Sequence, residues 1–122
     1  MTKLIVAGSR TIPNRDVVWD DLIYRVLMSE VDEVVCGMAR GADMIGYEFA
    51  QTYDIPCKKF PADWDKYGKS AGYIRNKEMS EYADELLAYW DGKSNGTKNM
   101  IDLMALAKKP TTIIYVWTTK ET

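Results

Sequence analysis

Histidine is missing from all 122 residues. Its absence removes the Ser-His-Asp and Cys-His nucleophilic sites and the commonest zinc ligand, so acid–base chemistry falls to Asp, Glu, Lys or Tyr. Cysteine is scarce: Cys36 and Cys57 are the only two, each in or beside an expected strand. Two isolated cysteines read as reduced, buried packing residues rather than a disulfide or a metal pair. No apolar run approaches the roughly 20 residues that a membrane helix needs. No signal-peptide pattern precedes MTKLIVAGS, so a cytoplasmic protein is the expectation. Basic charge is not in surplus either. With 16 Lys and Arg against 18 Asp and Glu the net charge is -2, which argues against duplex nucleic acid as the main partner.

What is present is regular. KLIVAG (3–8) reads as a strand buried on both faces. After a polar loop with Asn14 as N-cap, a helix is expected over 16–28, with Val18, Leu22, Ile23, Val26 and Leu27 at helical spacing. EVVC (33–36) is a second strand, 41–53 a second helix, and CKKF (57–60) a third strand. PADWDKYGKSAGY (61–73) is the least regular segment, with Ser70 capping a third helix to about residue 82. ELLAYW (85–90) is a fourth strand. A fourth helix carries Met100, Leu103, Met104 and Ala107 on one side, and TIIYVW (112–117) is a fifth strand. Strand and helix alternate throughout without linker or repeat. This order predicts one α/β domain over 1–122, with 118–122 a frayed tail. Its expected architecture is a Rossmann-like three-layer sandwich, a five-stranded parallel sheet with helices on both faces.

The unusual residues fall in loops that leave the carboxyl ends of strands: Gly8-Ser9-Arg10, 37–43, 61–75 and 91–97. In an open α/β sheet that edge holds the ligand crevice. Gly8, Gly37, Gly41, Gly92 and Gly96 stand at such turns, where glycine admits an anion close to backbone and a helix N-terminus offers unpaired N–H groups. Ser9, Ser94 and Thr97 add hydroxyls. Arg10, Arg40 and Arg75 each present a fork for phosphate. Asp43 and Asp91 read equally as local turn or helix-start carboxylates and as a ribose acceptor or base. Trp64, Tyr67 and Tyr73 read equally as a stacking cover and as packing or interface residues. No metal site is indicated; the two aspartates would tolerate Mg²⁺ without demanding it.

AGSR at strand one, CGMARGAD at strand two, the PADWDKYGKSAGYIRNKEM block and WDGKSNGT after strand four carry a resemblance. Together, over about residues 3–109, they resemble the YspA/YpsA-like branch of the SLOG superfamily, named for the Smf/DprA proteins and the Lonely Guy hydrolases. The resemblance implies a Rossmann-like domain that binds a nucleotide or nucleotide-derived ligand at these loops. Asn76, beside Arg75, joins the expected ligand-binding set; relatives in this superfamily often pair, so the resemblance allows a homodimer or higher homo-oligomer and leaves the oligomeric state open. The Lonely Guy motif PGGxGTxxE departs here: Gly92, Gly96 and Thr97 keep its binding half, while Met100 stands where the catalytic glutamate would be.

The expectation is therefore a binding module, a sensor or sequestering protein for a phosphate- and ribose-containing small ligand. Phosphate is expected on the amides around Gly8-Ser9 and 92–97 with Arg10 and Arg75 as counter-charges. The 37–43 loop would frame the ribose, and a third-loop aromatic would cover the base. The alternatives are a hydrolase of an N-glycosidic or phosphate bond with Asp43 or Asp91 as base, and a protein-interaction or oligomerisation scaffold with Trp64 and Tyr67 at the contact.

Overall fold

The computed structural model describes residues 2–12, 14–28 and 31–116. The elements in order are β1 (Lys3–Gly8), α1 (Arg15–Leu22), β2 (Glu33–Cys36), α2 (Ala42–Thr52), β3 (Cys57–Lys59), α3 (Trp64–Tyr67), α4 (Ala71–Tyr82), β4 (Glu85–Trp90), α5 (Asn95–Leu106) and β5 (Thr111–Tyr115). All pairings are parallel and the strand order is β3-β2-β1-β4-β5. The chain thus moves outward from β1 to β3, then crosses back to lay β4 on the other side of β1. Because parallel crossovers are right-handed, this reversal sends the later helices to the opposite face.

The core follows from that winding. Leu4 and Val6 pack with Val18 and Leu22 of α1 and with Ile45 and Phe49 of α2. Ile5 and Ala7, the alternate residues of β1, pack with Met79 of α4 and with Met100 and Met104 of α5. A central strand covered on both faces has no room for a polar face, which is why KLIVAG is apolar almost throughout. The result is the three-layer α/β sandwich.

Local chemistry sets the element ends. The Asn14 side chain caps α1 by accepting from the Asp16 and Val17 amides. Regular α-helix stops at Leu22, and Ile23–Leu27 form a π-helical turn, where one continuous helix is expected from the pattern. An α-helix turns a residue eight positions on by about 80°. The wider turn returns Val26 to the side of Val18 and Leu22, and all three are buried in one core.

The 61–73 segment is more ordered than its composition suggests. Asp63 caps α3, accepting from the Lys66 amide at 3.1 Å, and a 3-10 turn over Gly68–Ser70 leads into α4. Ser70 precedes α4 but makes no side-chain cap. β3 ends at Lys59 and β5 at Tyr115; the expected tail and Trp117 lie outside the described residues. Cys36 and Cys57 are free thiols, yet they are not isolated: Cys36 is buried, Cys57 is half-buried, and their sulfurs are 3.4 Å apart. Among the described residues, no helix is long and apolar enough to cross a membrane.

Candidate functional site

The strand order reverses between β1 and β4, and a crevice of about 930 Å³ opens there at the carboxyl edge of the sheet. All four long strand-to-helix loops reach it: Gly8 and Arg10 after β1; Gly37, Arg40 and Asp43 after β2; Trp64, Tyr73, Arg75 and Asn76 after β3; and Asp91, Ser94, Gly96 and Thr97 after β4. Ser9, Gly41, Gly92 and Tyr67 do not line it. Ala7, Met79 and Met100 are among the apolar residues of the lining, and the exposed Lys69 lies at its rim.

The wall built by CGMARGAD is closed by its own chain. Gly41 takes φ 82°, a conformation that suits glycine, and it packs so tightly that a Cβ there would overlap the Ser9 carbonyl oxygen. A Cβ on Gly8 would likewise overlap the Tyr89 carbonyl. These contacts press the start of α2 onto the β1 loop, where the Ala42 amide donates to Ser9 O at 3.3 Å. Ser9 is buried, and its amide donates to Tyr89 O at 2.9 Å. The expected phosphate position on the Gly8-Ser9 amides is therefore already spent on the protein itself.

Asp43 occupies the first turn of α2 and is only 5% exposed. Burial pushes its carboxyl up to about 7, against the pull of the Arg75 charge and of backbone hydrogen bonds from Ala39 and Gly8. An aspartate already sits where the α2 dipole would draw an anion. A Cβ on Gly37 would fall 2.7 Å from Asp43 Oδ2 and 2.8 Å from Arg75 Nη1, so carboxyl and guanidinium flank that glycine.

Arg75 projects from α4 and donates through Nη1 to the Gly37 carbonyl and through Nε to Asn76 Oδ1 at 3.0 Å. Burial lowers its pKa, the Asp43 charge opposes this, and the nearby Arg10 charge lowers it further. Asn76 is buried, and its Nδ2 donates to Gly96 O at 3.1 Å and to Asn99 Oδ1 at 2.9 Å. Its amide is a clamp between α4 and the first turn of α5, with donors and acceptor all in use.

The β4 loop presents the most open anion position. Asp91 Oδ1 accepts from the Lys93 and Ser94 amides, both at 2.8 Å. Partial burial raises its pKa, but these amides and the Ser94 and Ser9 hydroxyls outweigh it and hold the carboxyl below its ordinary value. Ser9 Oγ also accepts from the Asp91 amide at 2.9 Å, tying the β1 and β4 loops together. Beyond this turn, the Lys98 amide donates to Ser94 O, the first i to i−4 bond of α5. The amides of Asn95, Gly96 and Thr97 have no such partner, and among the described residues the Ser94 side chain at the N-cap position makes no capping bond to them. A Cβ built on Gly96 meets nothing within 4 Å. A twelve-residue helix thus aims its N-terminus at the crevice with the approach left clear.

The charge balance of the lining differs from that of the chain. Arg10, Arg40, Lys69 and Arg75 face two carboxylates, Asp43 and Asp91, whereas the whole chain carries -2. Arg10, Arg40 and Lys69 form no ion pair among the described residues. Trp64 and Tyr73 are 54% and 50% exposed, with open ring surface at the crevice. No group of three or more acidic or sulfur side chains is gathered as a metal-binding set among the described residues.

Lys69 was not evident from the chain order. Its segment gave no helical period, and only the 3-10 turn before α4 brings it to the rim. The capping pattern at Asp63 was the available signal for an ordered segment there.

A family model described as "YspA, cpYpsA-related SLOG family" matches residues 2–67. The "Gene 61 protein" of Mycobacterium phage D29 is 37% identical over 106 residues, covering 81% of this chain and 85% of its own. No solved structure matches. By both its sequence and the five-stranded parallel sheet, the chain belongs to the YAcAr family, the YspA, cpYpsA-related group of SLOG proteins.

Proposed function

We propose that this protein is a binding module for a nucleotide-derived ligand, acting as a sensor or sequestering protein. The observation that carries this reading is the uncapped N-terminus of α5. Three adjacent amides there face a cation-lined crevice, with open space at Gly96 where a side chain would otherwise stand. Backbone N–H groups, the helix dipole and bare glycine together suit a phosphate. In this reading Arg10 and Arg75 supply counter-charge, Asp43 and the 37–43 wall of the same crevice frame the ribose, and Trp64 or Tyr73 supplies a stacking face. Membership of the SLOG family supports the same ligand class. A Mg²⁺ ion would have to be held largely by the ligand's own phosphate oxygens.

A second reading, hydrolysis of an N-glycosidic or phosphate bond, is favoured by Asp43. A buried carboxyl brought to about 7 is matched to proton transfer near neutral pH. Asp91 suits that role less, since its oxygens are held by the turn it caps.

Thermal shift against nucleotides, ADP-ribose derivatives and cyclic oligonucleotides tests the first reading. A stabilisation that grows with ligand concentration supports it, and no stabilisation across the panel overturns it in favour of a scaffold. Mass spectrometry of each stabilising compound after incubation separates the readings: unchanged ligand marks a module. Product formed by wild type and lost in Asp43→Asn marks an enzyme.

A further inference from the structure

The chain has two cysteines, 21 positions apart, and the fold brings their sulfurs to 3.4 Å. Cys36 closes β2 and is fully buried, while Cys57 opens β3 and is half-buried. We propose that the two form a reversible redox pair, in which Cys57 is the thiol reached from solvent and Cys36 resolves it into an intramolecular disulfide.

The two positions are unequal in the way such a pair requires. Cys57 sits on an edge strand of three residues, paired only with β2. The hydrogen bond with Cys36 does most to favour the Cys57 thiolate; partial burial and the Glu33 charge oppose it, and Lys59, two residues along the same strand, adds a favourable cation. In the all-thiol state Cys57 donates to Cys36; once Cys57 ionises, the Cys36 S–H becomes the donor. That bond, then burial, hold Cys36 as a thiol. Accessible, ionisable sulfur beside a protonated, hidden one is the arrangement of an attacking and a resolving cysteine.

The chemistry balances with a hydroperoxide as oxidant. The Cys57 thiolate attacks the terminal peroxide oxygen, the O–O bond breaks, and the alkoxide leaves to take a proton from water, giving a sulfenic acid. The Cys36 sulfur then attacks the Cys57 sulfur. The S–O bond breaks, the departing hydroxide takes the Cys36 proton as water, and the S–S bond forms. Two electrons pass from the thiols to the peroxide, and a small dithiol returns them by exchange.

The register makes the bond easy to undo. Cys57 pairs with Val34 and Cys36 with Lys59, so the thiols meet diagonally rather than face to face. Closing 3.4 Å to a disulfide of about 2.05 Å asks β3 to shift, and strain of this kind makes a disulfide more reducible.

The test is limiting hydrogen peroxide on the full chain, then denaturation, alkylation and intact-mass analysis. The expected product is a monomer lighter by two hydrogens, taking no alkyl group, with Cys36 and Cys57 in one linked peptide pair, restored by dithiothreitol. Brief alkylation of the folded, reduced chain should modify Cys57 at least about 10-fold faster than Cys36. Cys36→Ala should stop at a dimedone-trappable sulfenic acid on Cys57. Intermolecular disulfides or sulfonic acid as the main product, or equal labelling of the two thiols, would overturn the proposal. The wild-type measurements decide it even if the variant does not fold.

Discussion

Gly41 and Gly96 border the same loops, and their surroundings give them opposite mutational outcomes. A side chain at Gly41 meets the Ser9 carbonyl and must also accept φ 82°. Gly41→Ala should lose about 2–4 kcal/mol in urea unfolding. Gly96→Ala meets open space on a helix, so its stability should stay level or rise by up to about 1 kcal/mol. Its nucleotide affinity should nevertheless fall about 10-fold or more, because the methyl group stands where the phosphate would approach. Asp43 gives a pH-dependent prediction. Its carboxyl lies at about 7 folded against an ordinary 3.8. Between these values the native state keeps a proton that the unfolded chain has lost. The contribution is complete below the unfolded value and is lost as pH rises through the folded one. From about pH 4 to about pH 7, wild-type stability should fall more steeply than that of Asp43→Asn, by up to about 1.4 kcal/mol per pH unit, and the two slopes should converge above the folded value. Equal slopes would contradict this environment for Asp43.

At the scale of elements, α5 depends on α4 for the position of its first turn. Asn76 supplies that link through Gly96 O and Asn99 Oδ1. Asn76→Ala leaves both acceptors without it and should cost about 1–3 kcal/mol in urea unfolding. It should also raise amide exchange at 98–101, the first hydrogen-bonded amides of α5, whereas exchange confined to other elements would show that the clamp does not order this turn. The elements themselves were largely readable from periodicity. β1, β2 and β4 run where their apolar runs run, because a central strand buried on both faces must be apolar from end to end. What escaped depends on contacts between distant residues. The π-helical turn keeps Val26 in the core, α3 rests on one Asp63 cap, and the meeting of Cys36 with Cys57 needs β3 laid beside β2. The loops forming the crevice were legible because they all follow strands. The roles inside them were not: that Ser9 ties two loops and Asn76 clamps two helices is decided by partners 82 and 20 positions away.

The whole molecule concentrates opposite charge where the sheet reverses. Four cations and two carboxylates line the crevice of a chain with net charge -2, so the proposed phosphate would be drawn to this edge, less so as salt rises. Arg75 is the most enclosed of the four: it donates to Gly37 O and Asn76 Oδ1 and still lines the crevice. Arg75→Ala should weaken nucleotide binding by about 10-fold or more, read by isothermal titration, with the loss shrinking as salt rises. The central claim, that a nucleotide-derived ligand seats its phosphate on the start of α5, is tested most directly by nuclear magnetic resonance. AMP and ADP-ribose would be titrated into isotope-labelled protein while backbone amides are followed. Saturable shifts should be largest at Asn95, Gly96 and Thr97, extend to Gly37 and Arg75, and vanish in a folded Gly96→Val variant. An absence of saturable shifts, or shifts centred away from these residues, would contradict the account.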